Sequence, residues 1–254
     1  MWIDSHAHLG EIDDRRLSDL VSFARAQGVD RILNVATSIV SSISVVRQHG
    51  VHSCLMPSVG ISPFDVTAEP EDWLATLQAI AANPAVAAIG ETGLDATNQQ
   101  YPPLPVQRKF LESHLHIAVS RGLPIVVHSR GCENQVLDLC LASGIRSVVF
   151  HCYTGPFDTL KRILDAGYVV SFSGIITFAN SLLSPLVAYA PLSQMLIETD
   201  SPYLAPVPFR GKQNQPAWVV RVGAAVAAIK NIDEDECGRG LSETFLRVFC
   251  PARG

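Results

Sequence analysis

The sequence predicts an α/β protein, a single (β/α)8 TIM barrel covering residues 1–254, and three observations carry that prediction. Eight short apolar or β-branched runs recur along the whole chain. Longer segments between them place apolar residues three or four apart, the spacing of an amphipathic helix. The length of 254 residues is used up by eight such units, since a barrel of this class takes about 250 residues as one domain. Hydrophobic residues at 48% and charged residues at 17% supply a large core and exclude disorder on composition.

Trp2 to Leu9 is the first strand, and Leu17 to Gln27 returns the chain as a helix that Gly28 ends. Arg31 to Ala36 and Ser53 to Ile61 are the next two strands, followed by a helix over Trp73 to Ala82. After the fourth strand, Val86 to Leu94, the proline-rich stretch Ala96 to Pro105 reads as a βα loop leading into the helix Gln107 to Arg121, closed by Gly122. Pro124 to Ser129 and Ser147 to Tyr153 are the fifth and sixth strands, the latter preceded by Gly144. The helix Leu160 to Ala166 ends at Gly167, just before the seventh strand, Tyr168 to Ile176. Met195 to Thr199 is the eighth, Ser201 to Pro216 its long proline-rich loop, and Asp233 to Phe249 a last helix ended by Pro251. Strands alternating with helices in this way imply parallel pairing through right-handed crossovers. A doubly wound open sheet is the structural alternative, and its GxGxxG fingerprint is absent.

A formal charge of −5 excludes a protein that coats nucleic acid through a broad basic surface. Cys54, Cys132, Cys140, Cys152, Cys237 and Cys250 are scattered with no CxxC pair, so neither a disulfide framework nor a structural zinc knot is expected. Asp4 and His6 stand where a secretory leader needs a basic and then an apolar region. No run reaches the roughly 18 apolar residues of a membrane span. The expected compartment is the cytoplasm. The oligomeric state is left open, with a monomer as the default.

His6-Ala7-His8 is the most informative triplet. Side chains on a strand alternate with period two, so both imidazoles face one side, which in a barrel is the lumen. Imidazole is the commonest side-chain metal ligand, and two placed this way can grip one ion. The fourth strand ends in Glu91, the fifth in His128, the sixth in His151 and the eighth in Asp200. Each alone could be a capping group or a satisfied core histidine. Together, four histidines and two carboxylates at the same end of five strands form a candidate metal site. That is more than the three protein ligands of one catalytic tetrahedral ion. It suits two divalent ions about 3.5–4 Å apart, with Glu91 as the natural bridge and Asp200 closing the ring beside His6 and His8.

With these residues assembled, the sequence resembles the TatD family of metal-dependent deoxyribonucleases, within the amidohydrolase-like barrel superfamily. The matching motifs are Asp4-Ser5-His6-Ala7-His8-Leu9, Gly90-Glu91-Thr92-Gly93-Leu94-Asp95, Val127-His128-Ser129-Arg130, His151-Cys152-Tyr153-Thr154-Gly155 and Glu198-Thr199-Asp200-Ser201-Pro202-Tyr203-Leu204. The resemblance implies that His6, His8 and Asp200 hold a first ion, and that Glu91 bridges it to a second held by His128 and His151. It also implies hydrolysis of DNA phosphodiester bonds, often from a 3′ end. Two positions of the family's RGKRNEP segment differ here, Gln213 for an arginine and Gln215 for a glutamate. Losing one charge of each sign together points to a lost structural ion pair. Ala96-Thr97 replaces the usual aromatic pair after Asp95 and alters the cleft wall.

The expected mechanism is in-line attack of metal-activated water on phosphorus, with Asp200 orienting or deprotonating the water. Arg130, Arg210 and Lys212 are the candidate phosphate contacts, although Arg130 could instead pair with Glu133. With so little basic surface, the DNA substrate is expected to be strand ends or single strands. The metal could be magnesium, manganese or zinc. His114 and His116 are read as surface residues, His49 and His52 as lying at the bottom of the barrel, and Cys152 as a packing residue. The absence of Gly-x-Ser-x-Gly argues against a serine hydrolase. The same barrel and ligands could instead cleave an amide, a lactone or an aminoacyl-tRNA ester, or serve only to bind a partner. A glutamate at the bridge, where many amide-cleaving relatives carry a modified lysine, favours phosphoester chemistry.

Overall fold

The computed structural model describes residues 1–250. Eight parallel strands follow one another in chain order around a nearly closed barrel. They are β1 (Trp2–Ala7), β2 (Val29–Val35), β3 (Leu55–Val59), β4 (Ala88–Gly93), β5 (Ile125–His128), β6 (Val148–Phe150), β7 (Val169–Phe172) and β8 (Met195–Ile197). The helices between and after them are α1 (Asp14–Ala26), α2 (Ile39–Val51), α3 (Trp73–Ala81), α4 (Leu104–Arg121), α5 (Glu133–Ser143), α6 (Phe157–Asp165), α7 (Ser184–Tyr189), α8 (Val219–Lys230) and α9 (Glu234–Phe249). Strand positions agree with the apolar runs because parallel barrel strands are covered on both faces and so read as continuous apolar stretches. In β5, for instance, Ile125, Val126 and Val127 are all fully buried. The predicted last helix is α9, capped by the Asp233 carboxylate, which accepts from the Asp235 and Glu236 N–H groups. Pro251, expected to end it, lies outside the described residues. Among the described residues no helix is long and apolar enough to cross a membrane.

The seam between β8 and β1 is closed mainly by bonds outside the strand ladder. Its backbone pairing is one isolated bridge, Ala7 with Ser201, flanked by His8 N–H donating to Ser201 at 2.8 Å and Asp200 N–H donating to His6 at 2.9 Å. Below it the buried Asp4 carboxyl accepts from the Thr199 N–H at 2.9 Å and the Thr199 hydroxyl at 2.6 Å. Ser5 donates its hydroxyl to the Ile197 carbonyl at 3.0 Å. Burial pushes the Asp4 carboxyl up to about 8 against the opposing pull of the Thr199 bonds. The chain just beyond β8, which carries Asp200, is thereby locked onto the chain that carries His6 and His8.

His114 departs from its expected surface position. It is fully buried, one of an inner stripe of α4 that includes Gln107, Phe110, Leu111 and Ala118. These lie three or four apart, so the helix period, and not the polarity of the side chain, decides where His114 points. Its Nε2 accepts the Ile61 N–H at 3.0 Å and its Nδ1 faces the Phe110 carbonyl at 2.7 Å, which fits one neutral tautomer. Trp73 lies stacked beside the ring. His116 is exposed, as expected.

Burial holds the His114 imidazole down at about 4, against an ordinary value of 6.5. The unfolded chain therefore binds a proton between these values that the folded chain refuses. The stabilising contribution is complete above pH 6.5 and is lost as the pH falls toward 4, costing up to about 3 kcal/mol at the acid end. Urea unfolding at pH 7.5 and pH 5 should show wild type losing more stability on acidification than His114→Gln. Equal losses would show that His114 does not set this acid sensitivity.

Candidate metal centre

The six predicted ligands converge at the C-terminal mouth of the barrel. β1 and the residue just beyond it present His6 and His8, with their Nε2 atoms 3.2 Å apart. The Nδ1 of His8 faces the Val35 carbonyl at 3.0 Å, so donation there leaves Nε2 free as a ligand. Glu91 comes from β4 and reaches both histidine pairs. Its Oε2 lies 3.4 Å from His6 and 3.5 Å from His8. Its Oε1 lies 3.4 Å from His128 Nδ1 and 3.3 Å from His151 Nε2. Asp200, just past β8, places Oδ1 3.4 Å from His8 and 3.9 Å from His6. Its backbone is left-handed, with φ 56°, a region that aspartate tolerates better than most residues. The His6 and His151 rings stack with centroids 4.0 Å apart.

Glycine makes this convergence possible on β4. At Gly93 (φ 145°) a side chain would overlap the His128 backbone carbonyl, and at Gly90 (φ 129°) it would overlap that of Val126. Only glycine allows β4 to approach β5 closely enough to bring Glu91 and His128 together.

The spacing of the donor atoms fits a cation. Imidazole–carboxylate contacts that are simply charged hydrogen bonds measure about 2.7–2.9 Å, whereas those to Glu91 measure 3.3–3.5 Å. Ligands held tetrahedrally at about 2.0–2.1 Å from an ion lie about 3.3–3.4 Å from one another. His6 Nε2 and His8 Nε2 face each other, as do His128 Nδ1 and His151 Nε2 at 3.3 Å. Two lone pairs meeting at that distance need a shared cation or proton. The donors form three overlapping groups able to hold metal: His6, His8 and Glu91; Glu91, His128 and His151; and His6, His151 and Asp200.

Buried charge sets the electrostatics. Desolvation works to raise the Glu91 carboxyl, but His151, His128 and His6 outweigh it and hold the group well below the ordinary carboxylate range. For His151 burial works downward, and the charges of Glu91 and Glu198 overcome it, leaving the imidazole well above its ordinary value. His6, by contrast, is held low, by burial first and then by the neighbouring His151.

Two acids that the sequence pattern does not single out stand behind the ligands. Asp95 Oδ2 lies 2.8 Å from His128 Nε2, and its other oxygen accepts the Thr97 N–H at 2.8 Å. Glu198 Oε1 faces His151 Nδ1 at 3.5 Å, while its Oε2 accepts the Ser171 hydroxyl at 2.6 Å. Such carboxylates fix ring orientation and raise the basicity of the ligand. The signals were present: Asp95 ends the same run as Glu91, and Glu198 precedes Asp200 by two residues on a strand end.

The expected phosphate contacts divide. Arg130 lines a small pocket with His128, His151, Cys152 and Tyr153. Among the described residues it makes no ion pair, and the alternative partner, Glu133, instead accepts the Gly131 N–H at 3.2 Å. Arg210 lies 3.6 Å over the Phe178 ring and Lys212 5.9 Å over Phe209, and among the described residues neither makes an ion pair with Glu91 or Asp200. Gln213 accepts a hydrogen bond from Arg16 of α1. Asn214, buried in the same loop, donates to the Thr199 and Tyr203 carbonyls at 2.8 and 2.6 Å and pins the loop to the end of β8. Cys152 contacts the Ser173 hydroxyl at 3.2 Å. Burial pushes its thiol well above the ordinary value, which leaves it a poor nucleophile.

The family model described as TatD related DNase matches residues 3–250. The metal-dependent hydrolase YcfH of Escherichia coli (strain K12) is 35% identical over 254 residues, covering 97% of this chain and 95% of that protein. Deoxyribonuclease Tat-D of Schizosaccharomyces pombe is 28% identical over 284 residues, covering 96% and 90%. The crystal structure of YjjV, a TatD homologue from Escherichia coli, superposes with a TM-score of 0.93 at 25% identity, covering 98% of each chain.

Asp95 gives this centre a test. Asp95→Asn should weaken metal binding about 10- to 100-fold with little change in melting temperature of the metal-free protein. Calorimetric titration of stripped wild type and variant with manganese would measure it. Equal affinities would show that Asp95 does not support His128.

Proposed function

The chain belongs to the TatD family of metal-dependent hydrolases, and within that family we propose that it is a deoxyribonuclease cleaving phosphodiester bonds at strand ends or in single-stranded DNA. The observation that carries this reading is the Glu91 carboxylate, which turns one oxygen to His6 and His8 and the other to His128 and His151. One carboxylate shared between two imidazole pairs is suited to two divalent ions, magnesium, manganese or zinc, with Asp200 completing the His6 and His8 side. Bound there, such ions would lower the pKa of water toward neutrality and offset charge on phosphate oxygens.

The remaining work falls to side chains. Asp200, at 14% side-chain exposure, is more open to solvent than Glu91 at 4%. In this reading it would accept a proton from the attacking water and hold that water in line with the scissile bond. Arg130, which makes no ion pair among the described residues and borders His128 and His151, would receive a non-bridging phosphate oxygen. Arg210 and Lys212 would meet the strand farther from the reacting bond. A chain of formal charge −5 gains affinity from the metals and this local patch, not from a broad basic face, which favours ends and single strands over long duplex.

The test is a nuclease assay on protein stripped with EDTA and given one metal at a time, using 5′- and 3′-labelled single strands beside a panel of amides, lactones and aminoacyl esters. Metal-dependent release of nucleotides with inert amides and esters is expected. Faster turnover of an amide or ester would overturn the DNA assignment. Asp200→Asn should lower the hydrolysis rate about 10²- to 10⁴-fold with its circular dichroism unchanged. Near-normal turnover would remove Asp200 from the proton-accepting role.

A further inference from the structure

We infer that Phe64 and Tyr101 form a stacking subsite for one nucleobase of the substrate, beside the His128 end of the metal centre. This rests on the phosphodiester reading above and adds how the nucleoside attached to the scissile phosphate is held. Phe64 stands on the loop after β3 and Tyr101 on the loop after β4. Their rings meet edge to face, with centroids 4.7 Å apart and planes at 64°. Phe64 also meets the His128 ring edge to face, at 5.2 Å and 76°. The three rings form one continuous wall that starts at a candidate ligand and runs outward across the mouth.

Packing does not account for this wall. Neither Phe64 nor Tyr101 belongs to the barrel core, and Phe64 keeps 37% of its surface exposed. An edge-to-face contact covers at most one face of a ring, and the exposed surface of Phe64 is aromatic surface against which a flat ring can stack. Among the described residues the Tyr101 hydroxyl has no hydrogen-bond partner.

The loops that present the rings are braced. The Ser62 hydroxyl donates to Asp65 at 2.7 Å and accepts the Phe64 N–H at 3.3 Å, while His114 fixes the Ile61 N–H at 3.0 Å. On the other loop, the Gln107 amide donates to the Asp95 carbonyl at 3.1 Å and the Pro102 carbonyl at 2.6 Å and accepts the Asp95 N–H at 2.8 Å. Asp95, which holds His128, thus also anchors the segment that delivers Tyr101. Ring wall and ligand keep one register, as they must if a base stacks while its phosphate reaches the ions.

The ligand class follows from the chemistry. Every nucleobase offers a π face, and stacking on aromatic side chains supplies affinity without reading base identity. Low basic charge leaves part of the binding to be supplied by such contacts. Tyr203, 63% exposed and 6.3 Å from the His8 ring, lies on the His8 side and serves as a control.

The test measures binding and does not depend on turnover. The manganese-loaded protein is titrated calorimetrically with dAMP, with dTMP and with 2-deoxyribose 5-phosphate, for wild type, Phe64→Leu, the double variant Phe64→Ala/Tyr101→Ala, and Tyr203→Ala. Both nucleotides should bind wild type about tenfold tighter than the sugar phosphate. That advantage should shrink in Phe64→Leu, vanish in the double variant and survive in Tyr203→Ala. Equal binding of nucleotide and sugar phosphate, no nucleotide binding, or an advantage that survives the double variant would overturn the subsite. Base-dependent binding without cleavage of DNA would overturn the nuclease reading and leave the subsite standing. Cleavage of DNA without base-dependent binding would do the reverse.

Discussion

Closure of the barrel between β8 and β1 rests on a few buried side chains, and the site depends on it. The ladder there is one bridge, Ala7 with Ser201. Asp4, bonded to both the N–H and the hydroxyl of Thr199, holds the seam just beneath the mouth. Removing such a partner leaves donors buried and unsatisfied, a cost of about 1–3 kcal/mol each. The His6 and His8 pair and Asp200 lie on opposite sides of this seam. Without it the strand ends could not bring Asp200 Oδ1 to 3.4 Å from His8. The longest sequence separations in the site are therefore carried by its shortest ladder.

Once the barrel is closed, the problem at the mouth is electrostatic. Four imidazoles and two carboxylates are packed where side chains are at most 17% exposed. Burying charge is costly unless it is paired or coordinates metal. Protons shared among the histidines can neutralise the cluster, as the opposite shifts of Glu91 and His151 indicate. The distances of 3.3–3.5 Å to Glu91 are nevertheless too long for strong charged hydrogen bonds and suit coordination edges. Asp95 and Glu198 extend the arrangement backward, anchored by Thr97 and Ser171. Orientation of His128 and His151 is thus supported by carboxylates just past β4 and β8.

Much of this was legible in the sequence. Strands covered on both faces leave continuous apolar runs, and ionisable residues at the ends of those runs mark the mouth, so the barrel and the positions of His6, His8, Glu91, His128, His151 and Asp200 could be read directly. His114 could not be read from its polarity, because the period of α4 buries it and a backbone N–H from another loop satisfies it. Asp95 and Glu198 were hidden for a different reason: they act through a second residue, and sequence spacing does not say which partner lies behind a ligand. The Phe64 and Tyr101 wall joins two loops, one after β3 and one after β4, whose approach depends on Gln107 and on the close packing of Gly60, just past β3, against the Gly90 and Glu91 backbone of β4. The stacking of Arg210 on Phe178 was equally hidden, since spacing within one loop does not name a ring contributed by another.

The role proposed for Glu91 is to join two halves of one metal centre. Its most direct test is the metal content of wild type and Glu91→Gln after equilibration with manganese, measured by mass spectrometry on the same samples assayed for DNA hydrolysis. Wild type should hold about two ions tightly, with the variant retaining fewer and losing hydrolysis together with them. A variant that keeps its full metal content and cleaves DNA at the wild-type rate would contradict that role.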